Sequence, residues 1–149
     1  MTLREAIAKR VLVFDGAMGT QIQRHQLTAS EYGGKEGAND LLTLTRPDLI
    51  EEIHARYFAA GADVVETNTF GSSRLKLDEY GLGHRTYEVN FRAAILARRA
   101  AERFSTPARP RFVAGSIGPT GMLPSSTDPA LGNITADALE RIFAEQAKG

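Results

Sequence analysis

Val11-Leu12-Val13-Phe14-Asp15-Gly16-Ala17-Met18-Gly19-Thr20 decides how the rest of the chain is read. Four apolar residues run into a carboxylate and two glycines, the pattern of a buried strand that delivers Asp15 to an open turn with accessible backbone amides. The same design returns in Ala62-Asp63-Val64-Val65-Glu66-Thr67-Asn68-Thr69-Phe70-Gly71, and again in Arg111-Phe112-Val113-Ala114-Gly115-Ser116-Ile117-Gly118-Pro119-Thr120-Gly121. Three strands with polar residues and glycines at their C-terminal ends predict a parallel α/β sheet whose functional face collects those ends.

Parallel strands need crossovers, and the sequence between them supplies helices. Thr2 to Arg10 reads as a short helix with Thr2 as N-cap and Glu5 as its capping-box partner. One helical turn is expected over Thr20 to His25, and a loop with little periodicity from Gln26 to Thr45 that lies over the site. A helix start at Thr45-Arg46-Pro47-Asp48, with Thr45 capping, leads into Ile50, Ile53, His54, Tyr57 and Phe58 at helical spacing, and Gly61 ends it. A short helix around Arg74 to Tyr80, a long one from Thr86 to Phe104 and a last one opening at Thr135 follow. A loop rich in Pro, Ser and Thr lies between Gly121 and Thr135.

At 149 residues the chain has three strand–helix units, whereas a closed barrel of such units takes about 250 residues. It therefore reads as three units of something larger, preceded by an N-terminal helix. Lys plus Arg and Asp plus Glu both number 18, so net charge gives no electrostatic case for nucleic acid or an anionic membrane as partner. No apolar run approaches the roughly 18 residues of a spanning helix, and Met1-Thr2-Leu3-Arg4-Glu5 lacks the apolar core of a signal peptide. A cytoplasmic protein is expected. The absence of cysteine excludes disulfides, thiolate nucleophiles and thiolate metal ligands from these residues.

Asp15 can serve as a ligand for an ammonium group, with the amides of Gly16, Ala17, Met18, Gly19 and Thr20 free for a carboxylate or phosphate, or it can cap the following turn. Gly16 and Gly19 do not make a dinucleotide fingerprint, because Met18 occupies its middle glycine. Glu66 at the end of strand two is either a ligand or a structural carboxylate paired to a neighbouring strand. Asn68 offers both donor and acceptor to an amino-acid-like group. Ser116 adds a hydroxyl. His25, His54 and His84 have no metal-ligand spacing; His54 falls on the packed face of its helix, and the other two on surface or loop.

Phe14-Asp15-Gly16-Ala17-Met18-Gly19-Thr20, Gly37-Ala38-Asn39-Asp40-Leu41-Leu42, Ala60 through Phe70, Glu88-Val89-Asn90-Phe91 and Ala114 through Thr120, in this order, resemble the homocysteine S-methyltransferase family across nearly the whole chain. The resemblance implies a (β/α)8 TIM barrel of which residues 1–149 form the N-terminal, truncated portion of a homocysteine-binding domain. It also implies a zinc ion held by three cysteines in later strands, which makes the substrate thiol a thiolate at neutral pH. Asn39-Asp40-Leu41-Leu42 favours the cobalamin-dependent type, with methylcobalamin charged by 5-methyltetrahydrofolate on other modules, over betaine- or S-methylmethionine-dependent relatives. By position, Asp15, Gly16, Ala17, Met18, Gly19, Thr20, Glu66, Asn68 and Ser116 are the implied homocysteine pocket. Zinc ligands are not among these residues, so the isolated chain is expected to be inactive, a non-catalytic barrel fragment with apolar edges that favour self-association.

Overall fold

The computed structural model describes residues 1–124, 127–128 and 134–149, and the expected Pro-, Ser- and Thr-rich loop falls largely outside the described residues. The fold is mixed α/β. Its helices are α1 (Leu3–Ile7), α2 (Met18–Gln23), α3 (Leu42–Thr45), α4 (Pro47–Ala59), α5 (Arg74–Asp78), α6 (Thr86–Phe104) and α7 (Ala136–Lys148), with single 3-10 turns at Asn39–Leu41 and Gly83–Arg85. Two strands, β1 (Val64–Glu66) and β2 (Phe112–Ala114), pair in parallel with Val64 opposite Phe112 and Glu66 opposite Ala114.

The expected first strand is reduced to one parallel bridge, Phe14 to Val64. Its backbone still follows β1: Asp63 donates to the Val13 carbonyl at 2.7 Å, and Asp15 donates to that of Val64 at 2.9 Å. The segment is not buried, since Val11, Val13 and Phe14 are 87%, 56% and 49% exposed. An apolar run becomes a buried strand only when both its faces and edges are covered, and here β1 covers one edge alone. The spatial order is nevertheless the chain order, with Asp15, Glu66 and Ser116 at the same end.

α4 and α6 cover the sheet. Phe58, Val65, Ala97, Ala100 and Ala101 form one buried cluster, with Val113 packed against it, and the Phe58 and Phe104 rings stack at 6.0 Å. The small alanine side of α6 lets α4 approach closely, so that Leu49, Ile50 and Ile53 fill a second cluster with Ile22, Leu42 and Leu96. Each such fully buried side chain contributes about 1.5–3 kcal/mol through removal of apolar area from water.

The opposite end of the sheet is fastened by charge. Asp63, 1% exposed, receives the Arg10 guanidinium in a two-point pair at 2.7 and 2.9 Å and the Val13 amide at 3.1 Å. Arg109 and Arg111 approach the same carboxylate at 3.4 and 3.6 Å. The Arg10 hydrogen bonds hold the Asp63 carboxyl well below the usual carboxylate range.

Several local expectations need correction. α1 keeps the Thr2–Glu5 capping box but ends at Ile7, and α2 starts at Met18, two residues before the expected turn. The second half of the expected 26–45 loop is ordered as a 3-10 turn and α3, because Leu41, Leu42 and Thr43 are buried against the core. Thr45 therefore ends α3, donating to the Leu41 carbonyl, and Arg46 occupies the α4 N-cap position without a side-chain cap. α6 spans the expected residues, and Thr135 caps α7 as expected.

Candidate functional site

The C-terminal strand ends enclose a cavity of about 680 Å³ lined by Asp15, Gly16, Ala17, Met18, Gly19, Thr20, Glu66, Asn68 and Ser116, all nine residues singled out from the sequence. Phe14, Gln23, Gly37, Asn39, Asp40, Thr67, Thr69, Phe70 and Gly71 complete its wall. The two groups of residues meet there because parallel strands in chain order bring their trailing loops to one side.

Asp15 bridges two of those strands. Both carboxylate oxygens accept the Glu66 backbone amide at 3.1 Å. Burial pushes its carboxyl up to about 6; the Glu66 amide works against that rise and the Glu66 carboxylate adds to it. Glu66 itself is exposed and has no ion pair among the described residues, so it is not the buried, cross-strand-paired carboxylate that the sequence left open. Two carboxyl groups thus lie side by side at the cavity wall, an arrangement that a bound cation would relieve.

The turn after Asp15 is held from below. Tyr57 of α4 donates its hydroxyl to the Ala17 carbonyl at 3.1 Å, and its oxygen lies 3.3 Å from where a Gly16 Cβ would stand. The first amides of α2 carry no side-chain cap. They are available to an anionic group.

Asn68 is buried and donates to the Asn39 carbonyl at 2.9 Å and to Thr43 Oγ1 at 3.3 Å. Its donor half is committed to the preceding loop, which leaves the carbonyl oxygen as the group it can offer a ligand. Ser116 is anchored by its backbone: its amide donates to Thr67 Oγ1 at 3.0 Å, and its carbonyl accepts Thr69 Oγ1 at 2.8 Å.

Sequence reasoning did not place Asp40, Thr67, Thr69 or Tyr57 at the site. Asp40 accepts the Gly71 amide at 3.0 Å and Ser72 Oγ at 2.8 Å, and burial pushes its carboxyl up. A Cβ on Gly71 would lie 2.9 Å from Asp40 Oδ2. The available signal was an acidic residue directly before the apolar pair Leu41-Leu42, which needs partners wherever it is enclosed. The histidines stay apart from the cavity: His54 is buried in α4, and His25 and His84 lie elsewhere.

A parallel strand-and-helix arrangement with a cavity at its C-terminal strand ends defines the mixed α/β class, and comparison narrows it. The sequence pattern of the homocysteine S-methyltransferase family matches residues 12–149, and the chain belongs to that family. It is similar to "Methionine synthase" of Mycobacterium leprae (strain TN), 44% identical over 147 residues, and of Mycobacterium tuberculosis (strain ATCC 25618 / H37Rv), 42% identical. Each match takes in 99% of this chain and 12% of the relative, so the chain spans about an eighth of the length of the relatives it matches. Its fold is similar to that of the Escherichia coli homocysteine methyltransferase MmuM in its metallated form. There the TM-score is 0.74 at 21% identity, over 98% of this chain and 52% of that one. The oxidized form of MmuM gives 0.66 at 27% identity over 80% of this chain and 41% of that one.

Proposed function

We propose that residues 1–149 are the N-terminal part of a homocysteine-binding domain, the opening units of a (β/α)8 barrel, in a longer methyltransferase that converts homocysteine to methionine. The observation that carries this is the convergence of Asp15, the Gly16–Thr20 turn, Glu66 and Asn68 on one cavity in a chain of this family. An amino acid has two ends to recognise. Its ammonium is matched by the adjacent carboxyl groups of Asp15 and Glu66 and by the Asn68 carbonyl oxygen; its carboxylate is matched by the uncapped amides at the start of α2.

Such a pocket orients the substrate so that its thiol projects toward the rest of the barrel mouth. Residues of this portion do not fit a zinc site. The chain has no cysteine, and among the described residues no three His, Asp or Glu side chains are placed to hold a metal. The zinc ligands that the family resemblance implies are assigned to later strands, and methyl donation from methylcobalamin, charged by 5-methyltetrahydrofolate, to further modules, in keeping with the greater length of the relatives. The role of this portion is to bind and orient. Among the described residues no helix is long and apolar enough to cross a membrane, and we place the parent enzyme in the cytoplasm.

Calorimetric titration of the full-length protein with L-homocysteine tests the reading. Saturable one-site binding that Asp15→Asn weakens supports it; an Asp15→Asn protein with unchanged affinity removes this cavity from substrate recognition.

A further inference from the structure

α7 sends one polar side chain into the interior. Gln146 is 3% exposed and donates through Nε2 to the Thr69 carbonyl at 2.9 Å and, at longer range, to the Ser116 carbonyl at 3.5 Å. Both facing groups are acceptors, so the amide nitrogen must be the end that points at them. Its Oε1 is consequently buried with no hydrogen-bond partner among the described residues. An apolar side chain of the same length would pack α7 without an orphaned acceptor, so packing alone does not account for a glutamine here.

The two carbonyls it holds belong to cavity-lining residues on different loops, one after β1 and one after β2. They are already linked on their other side. The Ser116 amide donates to Thr67 Oγ1, the Thr67 and Thr69 hydroxyls are 2.6 Å apart, and Thr69 donates to the Ser116 carbonyl. Because the single Thr69 hydroxyl proton goes to Ser116, Thr67 is the donor in the middle bond, and the ring runs in one direction. Gln146 closes it from behind.

We propose that Gln146 is a positioning residue for the substrate pocket: by donating to Thr69 and Ser116 together, it fixes the spacing between the loops after β1 and β2, and with it the wall that receives the amino acid. The inference rests on the homocysteine reading above. It assigns α7, which contributes no lining residue, a part in substrate affinity.

The test uses the full-length protein, with L-homocysteine as the probe, and measures affinity by calorimetry, steady-state kinetics and thermal midpoint together. Gln146→Met keeps length and removes both donors. The expected result is an affinity about tenfold weaker, the scale of one or two lost hydrogen bonds, appearing as a higher KM with kcat unchanged. Glu145→Ala is the control, since Glu145 pairs with Arg74 of α5 and secures the same helix without touching the ring. It should lower the thermal midpoint and leave affinity alone. Affinity for Gln146→Met within about twofold of the unsubstituted protein, or an equal loss in both variants, overturns the proposal. Should Gln146→Met fail to fold, Gln146→Leu replaces it, because its side chain carries no donor for either carbonyl; retained affinity there is likewise contrary. An unsubstituted protein that does not bind homocysteine overturns the functional reading itself, an outcome distinct from all of these.

Discussion

Asp15 and Glu66 are joined by a forked hydrogen bond, both Asp15 carboxylate oxygens receiving the one Glu66 amide at 3.1 Å. The carboxylate that lines the cavity is therefore also a brace between the first extended segment and β1. A substitution there acts on both, and the two effects can be separated. Asp15→Asn retains an acceptor for the amide and should leave unfolding stability close to the parent's, while Asp15→Ala should lose about 0.5–1.5 kcal/mol, the net range of an ordinary hydrogen bond, since burial of the charge offsets the extra strength of a charged acceptor. Urea unfolding distinguishes the two variants, and both should bind homocysteine more weakly than the parent.

On the proposed reading, the same carboxyl, pushed up to about 6 by burial, should give homocysteine binding a pH dependence. Above that value Asp15 is charged and attracts the ammonium; as pH falls through it, the charge and the attraction are lost. Affinity should thus drop between pH 7 and 5 in the full-length protein, and the drop should be smaller in Asp15→Asn. Calorimetry at three pH values reads it.

His54 sets a second pH response, on stability. It is fully buried, with neither ring nitrogen hydrogen-bonded among the described residues, and burial lowers its pKa from 6.5 to about 4. The unfolded chain takes up the proton more readily than the folded one. Stability from this group is full above pH 6.5 and declines as pH falls toward 4, by about 3 kcal/mol in all. His54→Leu should lack this decline, so the difference between parent and variant in urea midpoint should change between pH 7.5 and 4.5. A constant difference would place His54 in a hydrated setting.

Gly118 donates to the Phe70 carbonyl at 3.0 Å, and a Cβ on it would stand 2.4 Å from that oxygen. The clash is with backbone, so the loops after β1 and β2 must separate. Gly118→Ala should destabilise by about 1–3 kcal/mol and weaken homocysteine binding; a thermal midpoint equal to the parent's would show that the loops yield.

Exposed Val11, Val13, Phe14, Phe70 and Ile117 ring the strand edges. Residues 1–149 on their own should associate, and light scattering should give a mass above that of one chain; a stable monomer counts against open barrel edges.

What could be read from sequence was what periodicity and punctuation encode. Ile50, Ile53, Tyr57 and Phe58 mark α4, and Gly61, with φ of 111°, marks where it stops. The strand-end residues were legible because glycine and polar side chains follow apolar runs at Asp15, Glu66 and Ser116. The rest depends on partners distant in the chain. Val11 to Phe14 has the composition of a buried strand, but β1 alone cannot bury it. Asp40 gains its role only when Gly71 and Ser72 arrive from 31 and 32 residues away. Asn68 looked like a free amide, and its donors are spent on Asn39 and Thr43.

The central claim is that one amino acid sits between the Asp15–Thr20 turn and the loop after β1. A crystal structure of the full-length protein with bound L-homocysteine tests it most directly. The expected result places the substrate ammonium within hydrogen-bond reach of Asp15, Glu66 or the Asn68 oxygen, with the carboxylate at the amides of Gly16 to Thr20. Homocysteine seated elsewhere, with this cavity holding none of its atoms, would contradict it.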